Sequence, residues 1–225
     1  MTDAPPRMTI AVLGGSGKEG SGLALRWAHA GHSIVIGSRD AAKAQQAADA
    51  INDAVGRDAA RGATNKEAAE AGELIVLAVP YSAQLATAEA VKEQAQGKVF
   101  VDVTVPLQPP KVATVQLPSG GSAVALAQKT LGKGVKVVSA FQNISSTHLG
   151  EIGHDIDCDV LVCSDSEEAG ETVVALAREI GLGAFYAGKL ANSAAAEALT
   201  SVLIALNKRY KVSGAGIRLT GLPRD

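Results

Sequence analysis

Met8-Thr9-Ile10-Ala11-Val12-Leu13 leads to Gly15-Ser16-Gly17-Lys18-Glu19-Gly20, and Ser21-Gly22-Leu23-Ala24-Leu25-Arg26-Trp27-Ala28 follows. The first run is continuously apolar and reads as a buried parallel strand. The last reads as a helix, and the six residues between them match G-x-G-x-x-G. Strand, glycine turn and helix in that order form the first unit of a dinucleotide-binding fold. Glycines permit a tight turn there. They also let backbone N–H groups approach a pyrophosphate lying at the positive end of the helix. A glycine turn with no ligand is the bland alternative.

The next apolar run, Ser33-Ile34-Val35-Ile36-Gly37, ends in Ser38-Arg39. That is about twenty residues beyond the glycine motif, where the fingerprint places its ribose-reading residue. A carboxylate there accepts hydrogen bonds from the 2′-hydroxyl of NAD. This chain offers a hydroxyl and a guanidinium, with Lys43 one helical turn on. Arg binds a 2′-phosphate bidentately, Lys adds a point charge and a carboxylate would repel it. The pattern specifies NADP. Asp40 is read as the start of the next helix, where negative charge is favoured. Against this stands the reading of Arg39 and Lys43 as solvated surface charges.

The remaining chain fits one α/β unit. Its 225 residues allow one large domain or one with a small appendage, and a net charge of −2 gives no cause to invoke nucleic acid or a membrane surface. No apolar run is expected to reach membrane-spanning length, and Met1 to Arg7 is read as a disordered tail without a signal-peptide core. Cys158 and Cys163 fall on one expected strand with odd spacing, on opposite faces, so reduced thiols in a cytoplasmic protein are the expectation.

Strands and helices alternate almost to the end, which implies a doubly wound, Rossmann-type parallel sheet covered on both faces. After a helix from about 41 to 52 comes a polar link into a short helix at 66–71. Further strands are read at 74–79, 99–103 and 135–140, with a helix at about 82–95 and another at 121–131. The Pro-rich stretch 104–119 must be a loop, either a lid or a connector. A smaller βαβ element spans 159–187, and a long helix at about 193–208 is apolar on more of its surface than one core stripe needs. The expected division is an NADP-binding domain at 8–134 and a small C-terminal α/β portion at 135–225, with homodimer contacts on the last helix.

Ligands in such sheets bind outside the carboxyl ends of the strands. Here those ends carry Gly15 to Gly17, Ser38-Arg39, Ala78-Val79-Pro80-Tyr81, Thr104-Val105-Pro106 and Phe141-Gln142-Asn143-Ile144. No acid–base residue stands out among them. His29 and His32 fall at the end of the first helix. The six-residue spacing of His148 and His154 suits neither a helical metal pair nor a zinc ligand set, so no metal and no catalytic side chain is expected. The inventory suits a reaction that needs alignment more than proton transfer.

Ala11-Val12-Leu13-Gly14-Gly15-Ser16-Gly17, Gly37-Ser38-Arg39, Leu77-Ala78-Val79-Pro80, Val138-Ser139-Ala140-Phe141, Leu190-Ala191-Asn192-Ser193 and Leu206-Asn207-Lys208-Arg209-Tyr210 together resemble the NADPH:coenzyme F-420 oxidoreductases. Coenzyme F-420 is an 8-hydroxy-5-deazaflavin. The resemblance runs from Thr9 to Leu222, and its C-terminal part is the specific one. It implies hydride transfer between nicotinamide C4 and deazaflavin C5 with the rings stacked, a step of proximity and orientation. It also implies that Ser16, Ser38, Arg39 and Lys43 hold the 2′-phosphate and that Gly15 to Glu19 (Gly15, Ser16, Gly17, Lys18, Glu19) hold the pyrophosphate. Val79, Pro80 and Ile144 would pack near the rings. At Gln142 several members carry a His; Gln still hydrogen-bonds there but brings no positive charge. Two alternatives stay open on the residues: another acceptor (a flavin, an iron chelate or an imine), or a non-catalytic NADP sensor.

Overall fold

A computed structural model describes residues 6–223, so most of the expected N-terminal tail, residues 1–5, lies outside the described residues. In chain order the elements are β1 (Thr9–Leu13), α1 (Lys18–Ala30), β2 (Ser33–Ser38), α2 (Ala41–Val55), β3 (Ala60–Thr64), α3 (Asn65–Ala71), β4 (Leu74–Leu77) and α4 (Tyr81–Ala90). There follow β5 (Val99–Asp102), α5 (Ala123–Leu131), β6 (Lys136–Ser139), α6 (Ser146–Leu149), β7 (Asp159–Ser164), α7 (Glu167–Glu179), β8 (Gly183–Tyr186) and α8 (Ser193–Tyr210). The strands form one sheet in the order β3-β2-β1-β4-β5-β6-β7-β8.

Apolar residues alternate between the two faces of this sheet. Ile10, Val12, Ile34, Ile36, Val76 and Val101 pack under α1, α2 and α7, with Trp27 and Phe141 in the same layer. Ala11, Leu13, Val35, Ile75, Leu77 and Phe100 pack under α3, α4 and α5. Burial on both faces explains why the strands read as continuous apolar runs. The strand order reverses between β1 and β4, the topological switch point at which such sheets open a crevice.

Three expectations are corrected. The polar link after α2 contains β3, a parallel edge strand in register with β2 from Ile34↔Ala60 to Ser38↔Thr64. Arg61 and Thr64 face solvent and Ala63 alone is fully covered, so the backbone ladder holds this strand without an apolar run. The sheet is also not parallel throughout, because β7 pairs antiparallel with β6. After β6 the chain stays at the carboxyl edge through α6 and residues 150–158, with no helix crossing back over a face. β7 therefore enters from that edge, and α7 carries the chain across to β8, parallel to β7. Because β5 and β6 pair in register, the sheet continues without a break across residues 134 and 135.

The third correction concerns hydropathy. Leu190–Tyr210, 21 residues with a mean hydropathy of 1.2, is long and apolar enough to cross a membrane by length and composition. Its setting is that of a globular helix: Ser193, Glu197 and Leu203 are buried, and Glu197 accepts hydrogen bonds from Ser122 Oγ (2.7 Å) and the Ala123 and Val124 amides (2.7 and 3.2 Å). The carboxylate thus caps α5 from a helix some seventy residues later.

Both cysteines are buried and unpaired, and burial pushes both thiols up, Cys163 to about 11. His32, just before β2, is fully buried. Its Nδ1 accepts the Met8 amide at 3.2 Å, which leaves the proton on Nε2 to be donated to Glu179 at 2.7 Å. Arg7 pairs with the same Glu179.

Candidate cofactor-binding site

The turn after β1 is built by Gly14, one residue ahead of the motif's first glycine. Gly14 has φ 77, and a Cβ there would stand 2.6 Å from both Ala78 O and Val79 Cγ1. Only glycine fits, because the conformation is left-handed and β4 passes directly against it. Gly17 is different: it is the N-cap of α1, and an added Cβ would meet nothing nearer than Gly14 O at 3.4 Å. The protein itself leaves Gly17 room for a side chain, so the open space there is available to a ligand.

Polar groups at helix starts divide the same way. Asp40, Thr64, Ser122 and Ser166 cap α2, α3, α5 and α7 with side-chain oxygens. Helices α1, α4 and α8 have no side-chain cap, and of these α1 and α4 have Gly17 and Pro80 as N-caps. The first amides of these two are donors that folding leaves to an outside acceptor. Helices α1 and α4 start at one cavity of about 1090 Å³.

That cavity lies at the switch point. Gly17, Lys18 and Glu19 form one wall with Ala78 to Ser82. Gln142, Asn143 and Ile144 form the other, and Thr200, Leu203 and Asn207 of α8 back it. Leu107, Gln108, Pro109 and Val112 close one side, so the Pro-rich stretch is part of the wall. Burial lifts the Glu19 carboxyl to about 8, with the charge of Asp102 adding to the effect. Near neutral pH this group is uncharged and does not repel an anion at the α1 N-terminus.

The far wall hangs on Asp102, fully buried at the end of β5. Its Oδ2 accepts Gln84 Nε2 at 2.5 Å, its Oδ1 accepts the Thr104 amide at 2.9 Å, and burial raises its carboxyl. Its carbonyl accepts Gln142 Nε2 at 2.7 Å, and the Gln142 carbonyl accepts Thr200 Oγ1 at 2.7 Å. The Gln142 amide is thereby fixed in rotation, with Oε1 buried and unpartnered; Thr104 Oγ1 is unpartnered as well. A buried acceptor without a donor costs about 1–3 kcal/mol unless a ligand satisfies it. Phe141, just before, has φ 73. That strain of about 1–3 kcal/mol is matched by the roughly 2–3 kcal/mol gained in burying its ring, which stands edge-on to Trp27 at 5.8 Å.

Of the residues read from the sequence, Gly17, Lys18, Glu19, Val79, Pro80, Gln142 and Ile144 line the cavity. Gly15, Ser16, Ser38 and Arg39 lie beyond its edge, at the carboxyl ends of β1 and β2, as does Lys43 in the first turn of α2. Arg39 and Lys43 are exposed, while Asp40 caps α2 through the amides of Ala42 and Lys43. Sequence reasoning missed Asp102 and Thr200, and gave Thr104 only as part of the carboxyl end of β5. That strand end was a signal for Asp102 as well; Thr200 carries none, since its helix reads as core.

Residues 9–106 match the model of a family described as NADP oxidoreductase, coenzyme F420-dependent. An F420-dependent NADP reductase of Methanothermobacter thermautotrophicus is 43% identical over 225 residues, covering 97% of this chain and 97% of that protein. Its counterpart in Methanocaldococcus jannaschii is 41% identical, covering 96% of this chain and 99% of that protein. A hypothetical protein from Sinorhizobium meliloti has a solved structure similar at a TM-score of 0.68 and 22% identity, over 84% of this chain and 88% of that one. That last likeness is one of fold.

Proposed function

We infer the function from one premise: this chain belongs to the F420-dependent NADP reductase family. It is an oxidoreductase that passes a hydride between C4 of NADP(H) and C5 of the deazaflavin coenzyme F-420. The observation that carries the reading is the pairing of two unlike walls on one cavity: unoccupied helix-start amides on one, a fixed and unsatisfied amide acceptor on the other. A volume of about 1090 Å³ admits two stacked ring systems.

In this reading the amides from Gly15 to Glu19 bind the pyrophosphate, and Ser16, Ser38, Arg39 and Lys43 bind the 2′-phosphate. Val79, Pro80 and Ile144 press the rings together. Gln142 Oε1 accepts a hydrogen bond from a ring N–H, which would satisfy its unmatched lone pairs. The chain's contribution is orientation and exclusion of water, so no side chain need form a bond to either substrate. Residues 135–225 supply the deazaflavin side, and the exposed Val202, Leu206 and Tyr210 of α8 support a homodimer contact. Buried, unpaired thiols fit a cytoplasmic setting.

The test is to mix the purified protein with NADPH and oxidised coenzyme F-420 and follow the deazaflavin absorbance. Rapid bleaching that needs NADPH and fails with NADH is the expected result. Tight NADPH binding without bleaching would point to a different acceptor or to a sensor.

A further inference from the structure

Two side chains on the wall after β5 and β6 keep hydrogen-bonding capacity that folding does not use. Thr104 and Gln142 line the cavity and are only 3% and 2% exposed, yet Thr104 Oγ1 and Gln142 Oε1 find no partner among the described residues. Buried polar atoms are nearly always hydrogen-bonded, so each such atom needs a reason. The two belong to neighbouring strand ends, because β5 and β6 pair in register as far as Asp102↔Ser139.

One residue holds both. Asp102 Oδ1 accepts the Thr104 amide at 2.9 Å, a local bond that sets the Thr104 backbone. The Asp102 carbonyl accepts Gln142 Nε2 at 2.7 Å, which ties down the donor end of that side chain and leaves Oε1 free. The free atoms differ in kind: Gln142 Oε1 can only accept, whereas the Thr104 hydroxyl can donate. Asn143 Oδ1 is unpartnered too, but Asn143 Nδ2 donates to the Asp159 carbonyl at 2.7 Å, which draws that side chain toward β7 and away from β5.

An acceptor beside a donor matches a ligand edge on which an N–H adjoins a carbonyl. The pyrimidinedione ring of a deazaflavin carries that edge as a cyclic imide, with N3–H between the C2 and C4 carbonyls. We propose that Thr104 and Gln142 read this edge together: Gln142 Oε1 accepts from N3–H and the Thr104 hydroxyl donates to an adjoining carbonyl. The proposal rests on the hydride-transfer reaction inferred for this site, and adds Thr104 as a residue that determines its specificity. Flavins and deazaflavins share the imide, so the pair recognises the class of ring and not its hydroxylated end. Hydride arriving at C5 leaves N3–H in place, so the pair positions the ring and takes no part in bond making. The nicotinamide carboxamide offers the same two groups, but the pair lies on the other wall from the open starts of α1 and α4.

The test is equilibrium binding of 8-hydroxy-5-deazariboflavin and its N3-methyl derivative to the full chain in the presence of NADP, read by deazaflavin fluorescence. Both ligands are oxidised, so nothing turns over. The wild type should bind the methylated probe about tenfold more weakly than the unmethylated one. Thr104→Val should weaken the unmethylated probe about tenfold, Thr104→Ser should restore it, and neither should alter the Kd for NADP. In Gln142→Ala the two probes should bind alike, because the blocked N–H then has no acceptor to lose. Thr104→Val removes a hydroxyl that folding leaves unpaired, so its urea unfolding midpoint should equal or exceed that of the wild type; a lower one would show a partner within the protein and overturn the proposal. Equal wild-type affinity for the two probes would overturn it, as would a Thr104→Val loss that falls on NADP and spares the deazaflavin. No binding of the unmethylated probe overturns the pairing in any case; if the wild type also fails to bleach coenzyme F-420, the reaction itself falls with it.

Discussion

The two walls of the cavity are made in opposite ways. The wall after β1 and β4 is backbone: glycines, a proline and the bare amides of two helix starts, all close in sequence to the strands they follow. The wall after β5 and β6 is side chain, a relay from Gln84 through Asp102 to Gln142 and Thr200 drawn from four elements. The family model stops at residue 106, so it spans the first wall and only the beginning of the second. Backbone amides recognise any diphosphate; a fixed amide acceptor recognises a particular ring. The difference teaches that, on the proposed assignment of the walls, the nucleotide side is generic and the acceptor side particular.

The sharpest way to break this comparison is at Gly14. Gly14→Ala places a Cβ 2.6 Å from Ala78 O in a left-handed backbone. It is expected to lower stability by on the order of 3 kcal/mol in urea unfolding. Gly17→Ala, with open space around it, should leave stability nearly unchanged and raise the KM for NADPH. Equal unfolding midpoints for the two variants would contradict the assignment of Gly14 to the fold and Gly17 to the ligand.

Next in size is Arg39→Ala, for which the KM for NADPH should rise about 10- to 100-fold while that for NADH stays put. An unchanged preference for NADPH would remove Arg39 from the 2′-phosphate site. On the other wall, Gln142→Ala should lower kcat/KM for the deazaflavin about tenfold and leave the Kd for NADPH alone. If it weakened NADPH binding as much as Arg39→Ala does, the walls would not divide the work as described.

The smallest expected effect is a pH dependence. Glu19 is neutral below about 8 and carries a negative charge above it. Ionisation beside an anionic ligand costs on the order of 1 kcal/mol in a water-like medium, or about fivefold in affinity. The KM for NADPH should therefore climb between pH 7 and 9 in the wild type and stay flat across that range in Glu19→Gln. Parallel profiles would show that Glu19 does not face the bound nucleotide.

The sequence by itself determined β1, the glycine turn and α1, because strand hydropathy, turn chemistry and helix start all lie within about twenty residues and each is a local property. It likewise determined the loop nature of the Pro-rich stretch. The edge strand β3 was invisible, since an edge pairs through its backbone and needs no apolar pattern. The reversal of β7 was invisible too, because direction depends on which side the preceding connection takes. Only the tertiary structure decided the second wall and the turn around His148 and His154. Gln142 finds Asp102 from 40 residues away and Thr200 finds Gln142 from 58, while Arg26 shapes a turn more than 120 residues downstream. Such pairings leave no period or spacing in the chain; they exist only once the sheet has brought its strand ends to one edge.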